Sequence, residues 1–170
     1  MDNVPVKNSQ TGEIMWSHPG NVGALAEEWQ RISGAAEEGM RLTVAKRALN
    51  AQVNEKLAAV MAAGFTPATG PLAGHTLQLR DLEDRANWQD SRHRYKEYVD
   101  EGAGELPGAT FRTAANVNVG CTFAEGLQAL NDMEAWGWRM MMRSWTLKDQ
   151  VKAASDRAAL DAIDINAGWE

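Results

Sequence analysis

Apolar side chains recur at helical spacing in five segments of the chain. The pattern is strongest in two long segments, where apolar residues return every three or four positions. Shorter stretches of the same spacing, bounded by turn-forming residues, predict three further helices. The five predicted helices cover residues 21–33, 43–63, 81–102, 122–154 and 155–163.

Residues with capping chemistry mark the ends of these helices. Thr122 is followed three positions later by Glu125, a capping-box pattern that opens the longest helix. Gly64 is placed to end the helix over 43–63, because glycine accepts the left-handed backbone common at helix C-termini. The first residues predicted for the other helices are Asn21, Thr43, Asp81 and Ser155.

The helix predicted over 122–154 carries apolar residues around much of its circumference, so more than one neighbour is expected to cover it. Gly137 interrupts it at a cost of about 1 kcal/mol relative to alanine. Close approach of a partner segment or a core contact within the chain would each explain this glycine. One apolar stripe comprises Leu127, Leu130, Trp138, Met141 and Trp145, and the other comprises Met133, Trp136, Met140, Leu147 and Val151.

Three pairs of short β-prone runs predict hairpins. The first pair lies within residues 4–16, around a turn-forming cluster at 8–12. Pro5 lacks a backbone N–H, which predicts an edge position for the first strand. The second hairpin joins 65–69 to 76–79, and the third joins 110–113 to 117–119.

These elements predict a mainly α fold with small β-hairpins, of the α+β class, in which a compact helical unit carries an N-terminal β-hairpin arm. Residues 1–42, a hairpin plus a short helix, form the predicted arm and attachment segment. Residues 43–170 form the predicted helical domain. A chain of 170 residues is long enough to bury a core without disulfides.

Charge and composition narrow the classes of partner. The net charge is −6, with lysine and arginine scattered among acids, so we expect no nucleic-acid partner. No apolar run approaches the roughly 20 residues of a membrane span, and no secretory signal is visible, so we expect a cytosolic protein without a membrane partner. Cys121 is the only cysteine, which excludes an internal disulfide.

Residues suited to catalysis or metal binding are few and fall into no recognised arrangement. His18, His75 and His93 lie apart without zinc-ligand spacing, and surface positions are expected for them. Cys121 has no neighbouring histidine to act as a base, so a buried and inert thiol is expected. We therefore expect a protein that is not an enzyme, with no catalytic residues, cofactor or metal.

Seven tryptophans and eight methionines are the unusual feature of the composition. Large aromatic and thioether side chains are enriched at protein interfaces, which indicates an assembly component. A tryptophan-rich core is the alternative interpretation, and composition does not separate the two. The candidate interface residues are Trp16, Trp29, Trp136, Trp138, Met141 and Trp145.

Several short segments occur together in a recognisable order: AKRALN at 45–50, AGF at 63–65, GHTLQ at 74–78, DRAN at 84–87, FRTAANV at 111–117, LKD at 147–149, ALDAID at 159–164 and GW at 168–169. On these segments, residues 43–169 resemble a domain of unknown function that recurs in tail-fibre and tail-associated proteins of phages infecting Gram-negative bacteria. The resemblance implies helices with small hairpins and no catalytic residues. Residues 1–42 fall outside it, and residues 136–142 are bulkier than the small-residue helix usual there.

The expected function is that of a structural virion protein of a bacteriophage tail, in the distal tail, the baseplate or the tail-fibre attachment. It would act by packing against other phage tail proteins, as a homo-oligomer or in multiple copies, in the virion and earlier in the host cytoplasm. The alternative is a non-virion assembly chaperone for tail fibres. An enzyme acting on host polysaccharide is a third possibility, which would require paired carboxylates in a cleft.

Overall fold

The computed structural model describes residues 3–8, 11–18, 29–31 and 34–170. It is mainly helical, with two small antiparallel sheets, so the predicted fold class is confirmed. Two compact units form, one from residues 1–51 with 151–163 and the other from 52–150 with 164–170. The elements are β1 (Val4–Asn8), β2 (Ile14–Ser17), β3 (Trp29–Arg31), α1 (Gly34–Ala63), α2 (Leu82–Asp100), β4 (Pro107–Arg112), β5 (Asn118–Thr122), α3 (Phe123–Ala153) and α4 (Arg157–Asp161).

The predicted N-terminal hairpin is present in the first unit. Strands β1 and β2 pair antiparallel, with Val6 opposite Met15. Asn8 closes the hairpin, because its backbone N–H donates to the Glu13 carbonyl at 2.8 Å and its side chain accepts from the Thr11 N–H at 2.9 Å. The Asn8 side chain thus stabilises the turn that the turn-forming cluster at residues 8–12 predicted.

The edge position predicted for the proline strand is wrong. Strand β1 lies in the middle of a three-stranded sheet of order β2-β1-β3. Alternate residues direct their N–H groups to opposite neighbours, and the Asn8 N–H points to the β2 side, so the Pro5 nitrogen faces β3. The part of the β3 ladder that the structure describes joins Val6, Lys7 and Asn8 of β1 to Arg31, Gln30 and Trp29, and the residue after Arg31 lies outside the described residues.

The helix predicted over 21–33 is wrong where it can be compared with the structure. Trp29 lies in β3, opposite Asn8 of β1, and the strand continues to Arg31. Residues 21–28, with the predicted cap Asn21, lie outside the described residues. Pairing with β1 overrides a helical spacing that rested on only a few apolar residues, because ladder hydrogen bonds are non-local and invisible to periodicity.

Two predicted helix starts are also wrong. Helix α1 begins at Gly34, and the Thr43 hydroxyl donates to the Gly39 carbonyl inside it, at 2.8 Å. Helix α4 is capped by Asp156 rather than Ser155, because the Asp156 carboxylate accepts from the Ala159 N–H at 2.8 Å. Apolar packing in this unit joins α1, α3 and α4 through a cluster of Val151, Ala154 and Leu160 with Leu42, Ala45, Leu49 and Ile163.

The core of the second unit forms around Phe111, which is fully buried. Its ring stacks on Trp88, with centroids 5.6 Å apart, and meets Tyr95 at 6.0 Å. The Trp88 indole N–H donates to the Gln78 carbonyl at 2.7 Å, so its polar atom is satisfied. The other buried members are Leu72, Leu77, Leu79, Ala109, Ala129, Leu130, Met133, Trp136 and Met140.

The second predicted hairpin forms only one bridge, between Phe65 and Leu77. Gly64 ends α1 as predicted, with φ 86°. A Cβ at Gly64 would lie 2.4 Å from the Leu77 carbonyl oxygen, so glycine is required for the close approach as well as for the backbone angle.

The third predicted hairpin is confirmed as strands β4 and β5, with Phe111 opposite Val119. Asn116 occupies the turn with φ 63°, a conformation that asparagine tolerates better than most residues. The predicted Asp81 cap of α2 is also confirmed, since its carboxylate accepts from the Asp84 N–H. Among the described residues, no helix has the length and hydropathy needed to cross a bilayer.

Candidate functional site

The candidate site lies on α3, whose start is fixed by the predicted capping box. The Thr122 backbone N–H donates to Glu125 Oε2 at 2.9 Å, and the Glu125 N–H donates to Thr122 Oγ1 at 3.2 Å. These reciprocal bonds satisfy two N–H groups at the helix start. The long helix therefore begins where the sequence predicted.

One of the two predicted apolar stripes of α3 is buried. Its members follow one another at spacings of three, four, seven and four residues, and all are at most 9% exposed. Trp136 belongs to this stripe and packs against Phe65, with ring centroids 5.7 Å apart. Trp136 is therefore a core residue within its own unit, and its role at an interface stays a prediction. The buried stripe is Met133, Trp136, Met140, Leu147 and Val151.

The other side of α3 presents an apolar face to solvent. Trp138 is 59% exposed, Met142 44% and Trp145 42%. These positions follow one another at spacings of four and three, so they lie on one side of the helix. The two indoles meet edge to face, with centroids 5.4 Å apart and planes at 90°. We call Trp138, Met142 and Trp145 the tryptophan face.

Met141, also predicted as an interface residue, is half-buried beside this face. Met142 was not among the predicted interface residues, although it follows Trp138 by one helical turn. The four-residue spacing from Trp138 could have identified Met142 as a member of the same face. Periodicity, however, cannot distinguish an exposed apolar stripe from a buried one. The tryptophan face thus combines two predicted residues with one that was missed.

The structure describes the side chain of one of the two predicted residues of the N-terminal arm. Trp16 lies in β2, is 36% exposed, and has the Arg41 guanidinium 5.0 Å from its ring centroid. Arg41 also bonds the Glu37 carboxylate at 2.9 Å and the Asn3 carbonyl. The side chain of Trp29 lies outside what the structure describes, so only its place in β3 is known.

The titratable candidates are dispersed. His18 and His93 are exposed, and His75 is half-buried. Burial raises the pKa of the Cys121 thiol, and the nearby Glu125 carboxylate raises that pKa further, which favours the protonated thiol at neutral pH. Across the described ranges, no group of three or more His, Cys, Asp or Glu side chains is arranged to hold a metal ion.

Comparison with protein families gives one match. Residues 44–167 match the model of a family described as "Domain of unknown function (DUF4376)". The chain belongs to the DUF4376 family. Searches of curated proteins and of solved structures gave no match. The resemblance to a domain of unknown function is thereby confirmed, while the family's description assigns it no role.

The DUF4376 match includes the tryptophan face and excludes Trp16 and Trp29. It runs from within α1 to beyond α4 and so takes in residues of both structural units. The predicted division into an arm, 1–42, and a domain, 43–170, stays a prediction. The tryptophan face is the feature of the DUF4376 region that indicates a function.

Proposed function

We propose that this DUF4376 protein is a structural component of a bacteriophage tail that acts by packing its tryptophan face against a neighbouring tail protein. The protein would be located in the distal tail, the baseplate or the tail-fibre attachment, in several copies. The proposal involves no catalytic step, cofactor, nucleic acid or membrane. The phage context comes from the resemblance of residues 43–169, and the packing mechanism comes from α3.

The observation that carries the mechanism is the exposure of Trp138 and Trp145 on one side of a helix whose opposite side is buried. Tryptophan is enriched among interface hot spots, and truncating a hot-spot residue to alanine weakens binding by at least about 2 kcal/mol. A partner that encloses both rings would therefore gain much of its affinity from these two residues.

The flexible thioether of Met142 lies between the two tryptophans in sequence and shares their face. Methionine adapts its shape to irregular apolar surfaces, which suits a docking site. In addition, the two indoles already contact each other edge to face without a partner, which favours this arrangement of the rings before binding. A preformed aromatic surface loses less conformational entropy on binding than mobile side chains would.

The direct test is mass spectrometry of purified phage particles together with infected-cell lysates. A structural protein should be present in particles in a constant ratio to a known tail protein. Absence from particles, despite expression in infected cells, would reject the structural role and favour the non-virion assembly chaperone.

A second experiment tests the docking face. Phage lacking the gene is complemented with the wild-type chain, with Trp138→Ala/Trp145→Ala, or with Leu82→Ala. Leu82 is 80% exposed on α2 and serves as the matched control for loss of a surface apolar residue. We expect the double variant to fold normally by circular dichroism but to be lost from particles, whereas the Leu82 variant is retained. Equal retention of all three proteins would exclude the tryptophan face as the docking surface.

A further inference from the structure

A groove of about 420 Å³ lies in the second unit, lined mainly by α2 and α3. Its apolar lining includes Leu79, Trp88, Leu130 and Met133, with Gly137 of α3 beside them. This volume falls within the range of pockets that take small ligands or anchoring side chains. The groove residues differ from those of the tryptophan face, so the inference below does not depend on the proposed function.

Gly137 in this groove is not explained by packing within the described residues. A Cβ added there would meet only the Met61 terminal methyl, at 3.9 Å, which is an ordinary contact. Alanine would therefore fit and would favour the helix, because glycine is a poorer helix former than alanine. The missing side chain instead leaves the groove deeper at the middle of α3. An occupant seated over the glycine accounts for its presence.

The rim of the groove is basic. Arg85, Arg92 and Lys96 line it together with His93, and Glu134 is the one carboxylate among its lining residues. The chain as a whole carries a net charge of −6, so this rim differs in sign from the protein around it. Charge complementarity therefore favours an acidic occupant.

The cationic side chains of the rim form only weak ion pairs with other residues of the chain. Arg92 bonds Asn131 at 2.7 Å in a partly buried contact, while its ion pair with Glu134 at 2.9 Å and that of Lys96 with Asp100 at 2.6 Å lie at the surface. Exposed ion pairs of this kind contribute little to stability, so these side chains can turn to an incoming carboxylate. Within the part of the chain that the structure describes, Arg85 forms no ion pair.

We propose that this groove binds an acidic peptide segment of a partner protein, with one apolar side chain seated over Gly137 and flanking carboxylates paired with Arg85 and Arg92. The apolar lining explains the anchor, since the transfer of a large apolar side chain from water into an apolar groove is favourable. The positive charge of the rim explains the acidic residues on either side of the anchor. A phosphate polymer fits less well, because it offers nothing apolar to cover Leu79, Trp88 and Met133.

The probe is a set of short capped peptides, each with one central Phe, Leu, Met or Trp between paired Asp and Glu residues. They are titrated into the isotopically labelled full chain and followed by amide and indole NMR signals. We expect shifts at Gly137 and at the Trp88 indole N–H, which report on the groove directly. Replacing the acids by lysine, or the central residue by serine, should weaken binding at least about tenfold.

Two glycine substitutions provide a matched comparison. Gly137→Leu fills the groove, while Gly39→Leu changes another helical glycine, on α1, where no atom of the described residues lies within 4 Å of an added Cβ. Both variants should keep or raise the melting temperature, but only Gly137→Leu should weaken peptide binding at least about tenfold. Gly137→Ala serves the same purpose if leucine disturbs the fold, because its added atom makes only an ordinary contact.

Reversing a rim charge completes the test. Arg85→Glu should weaken the acidic peptides and strengthen their lysine counterparts, with the circular dichroism spectrum unchanged. The proposal is overturned if no peptide shifts the groove signals at about 1 mM. It is also overturned if a folded Gly137→Leu or Gly137→Ala variant binds as the wild type does.

Discussion

Trp138 and Trp145 meet edge to face across two turns of α3, although both rings face solvent. Aromatic pairs in this geometry contribute about 0.5–1.5 kcal/mol beyond burial, and exposure places this pair near the lower limit. We expect Trp138→Ala and Trp145→Ala each to lower the free energy of unfolding by less than about 1 kcal/mol. A double-mutant cycle in urea should give a coupling near 0.5 kcal/mol.

A loss of more than about 2 kcal/mol in either single variant would contradict this expectation, because it would place the indole in the core. The retained stability matters for the docking experiment. It allows loss of the variant from particles to be assigned to a missing contact rather than to unfolding.

Thr122→Val tests the capping box at the start of α3. Valine keeps the shape of threonine but cannot accept the Glu125 N–H, so the free energy of unfolding should fall by about 1 kcal/mol. Chemical denaturation measures the change. Thr122→Ser keeps the hydroxyl acceptor and should lie close to the wild type. Full stability of Thr122→Val, together with a loss in Thr122→Ser, would show that the methyl group, not the hydroxyl, is what matters.

Gly126→Ala tests a close approach between α3 and β4. The added Cβ would lie 2.7 Å from Ala109 Cβ and 3.2 Å from the Tyr95 ring, and Ala109 has no side-chain freedom to move away. We expect a loss of about 1–3 kcal/mol from overpacking, measured by urea unfolding. Gly39→Ala, whose added Cβ has no described residue within 4 Å, should instead raise stability by up to about 1 kcal/mol. A stabilised Gly126→Ala variant would refute the close contact.

Asp156→Ala tests the pH dependence of the α4 cap. The Ala159 N–H, and then the Ser155 hydroxyl, donate to the carboxylate and lower the pKa of Asp156 below its usual value. A group whose pKa is lower in the folded state stabilises the fold above its unfolded pKa of about 3.9 and loses that effect as pH falls through the folded value.

The difference in melting temperature between wild type and Asp156→Ala should therefore be full at pH 7 and smaller below about pH 4. Asp156→Asn keeps an acceptor oxygen that does not titrate, so its stability relative to Asp156→Ala should not show this decrease. A difference that is the same at both pH values would rule out the charged cap as its source.

Local signals predicted the parts of the fold that depend on residues close in sequence. The capping box of Thr122 and Glu125, the Asp81 cap and the Gly64 terminator all lie where predicted, because each involves a side chain and a backbone group within a few positions. The hairpin of β4 and β5 belongs with them, since its turn residue Asn116 suits a positive φ.

Predictions that depended on distant partners were wrong or incomplete. Trp29 joins a strand because β1 pairs with it, and the same pairing places β1 at the centre of its sheet. In both cases a non-local contact overrode a local preference. Thr43 has the chemistry of a helix cap, yet α1 begins earlier and encloses it.

The sequence by itself determined the α+β class, most helix ends and the apolar content of α3, since these follow from propensity, capping and periodicity. Only the tertiary structure decided that Trp136 is buried while Trp138 and Trp145 are exposed, and that the side chains around Gly137 form a groove with a basic rim. The physical reason is that periodicity shows which residues share a side of a helix, whereas burial depends on whether another segment covers that side.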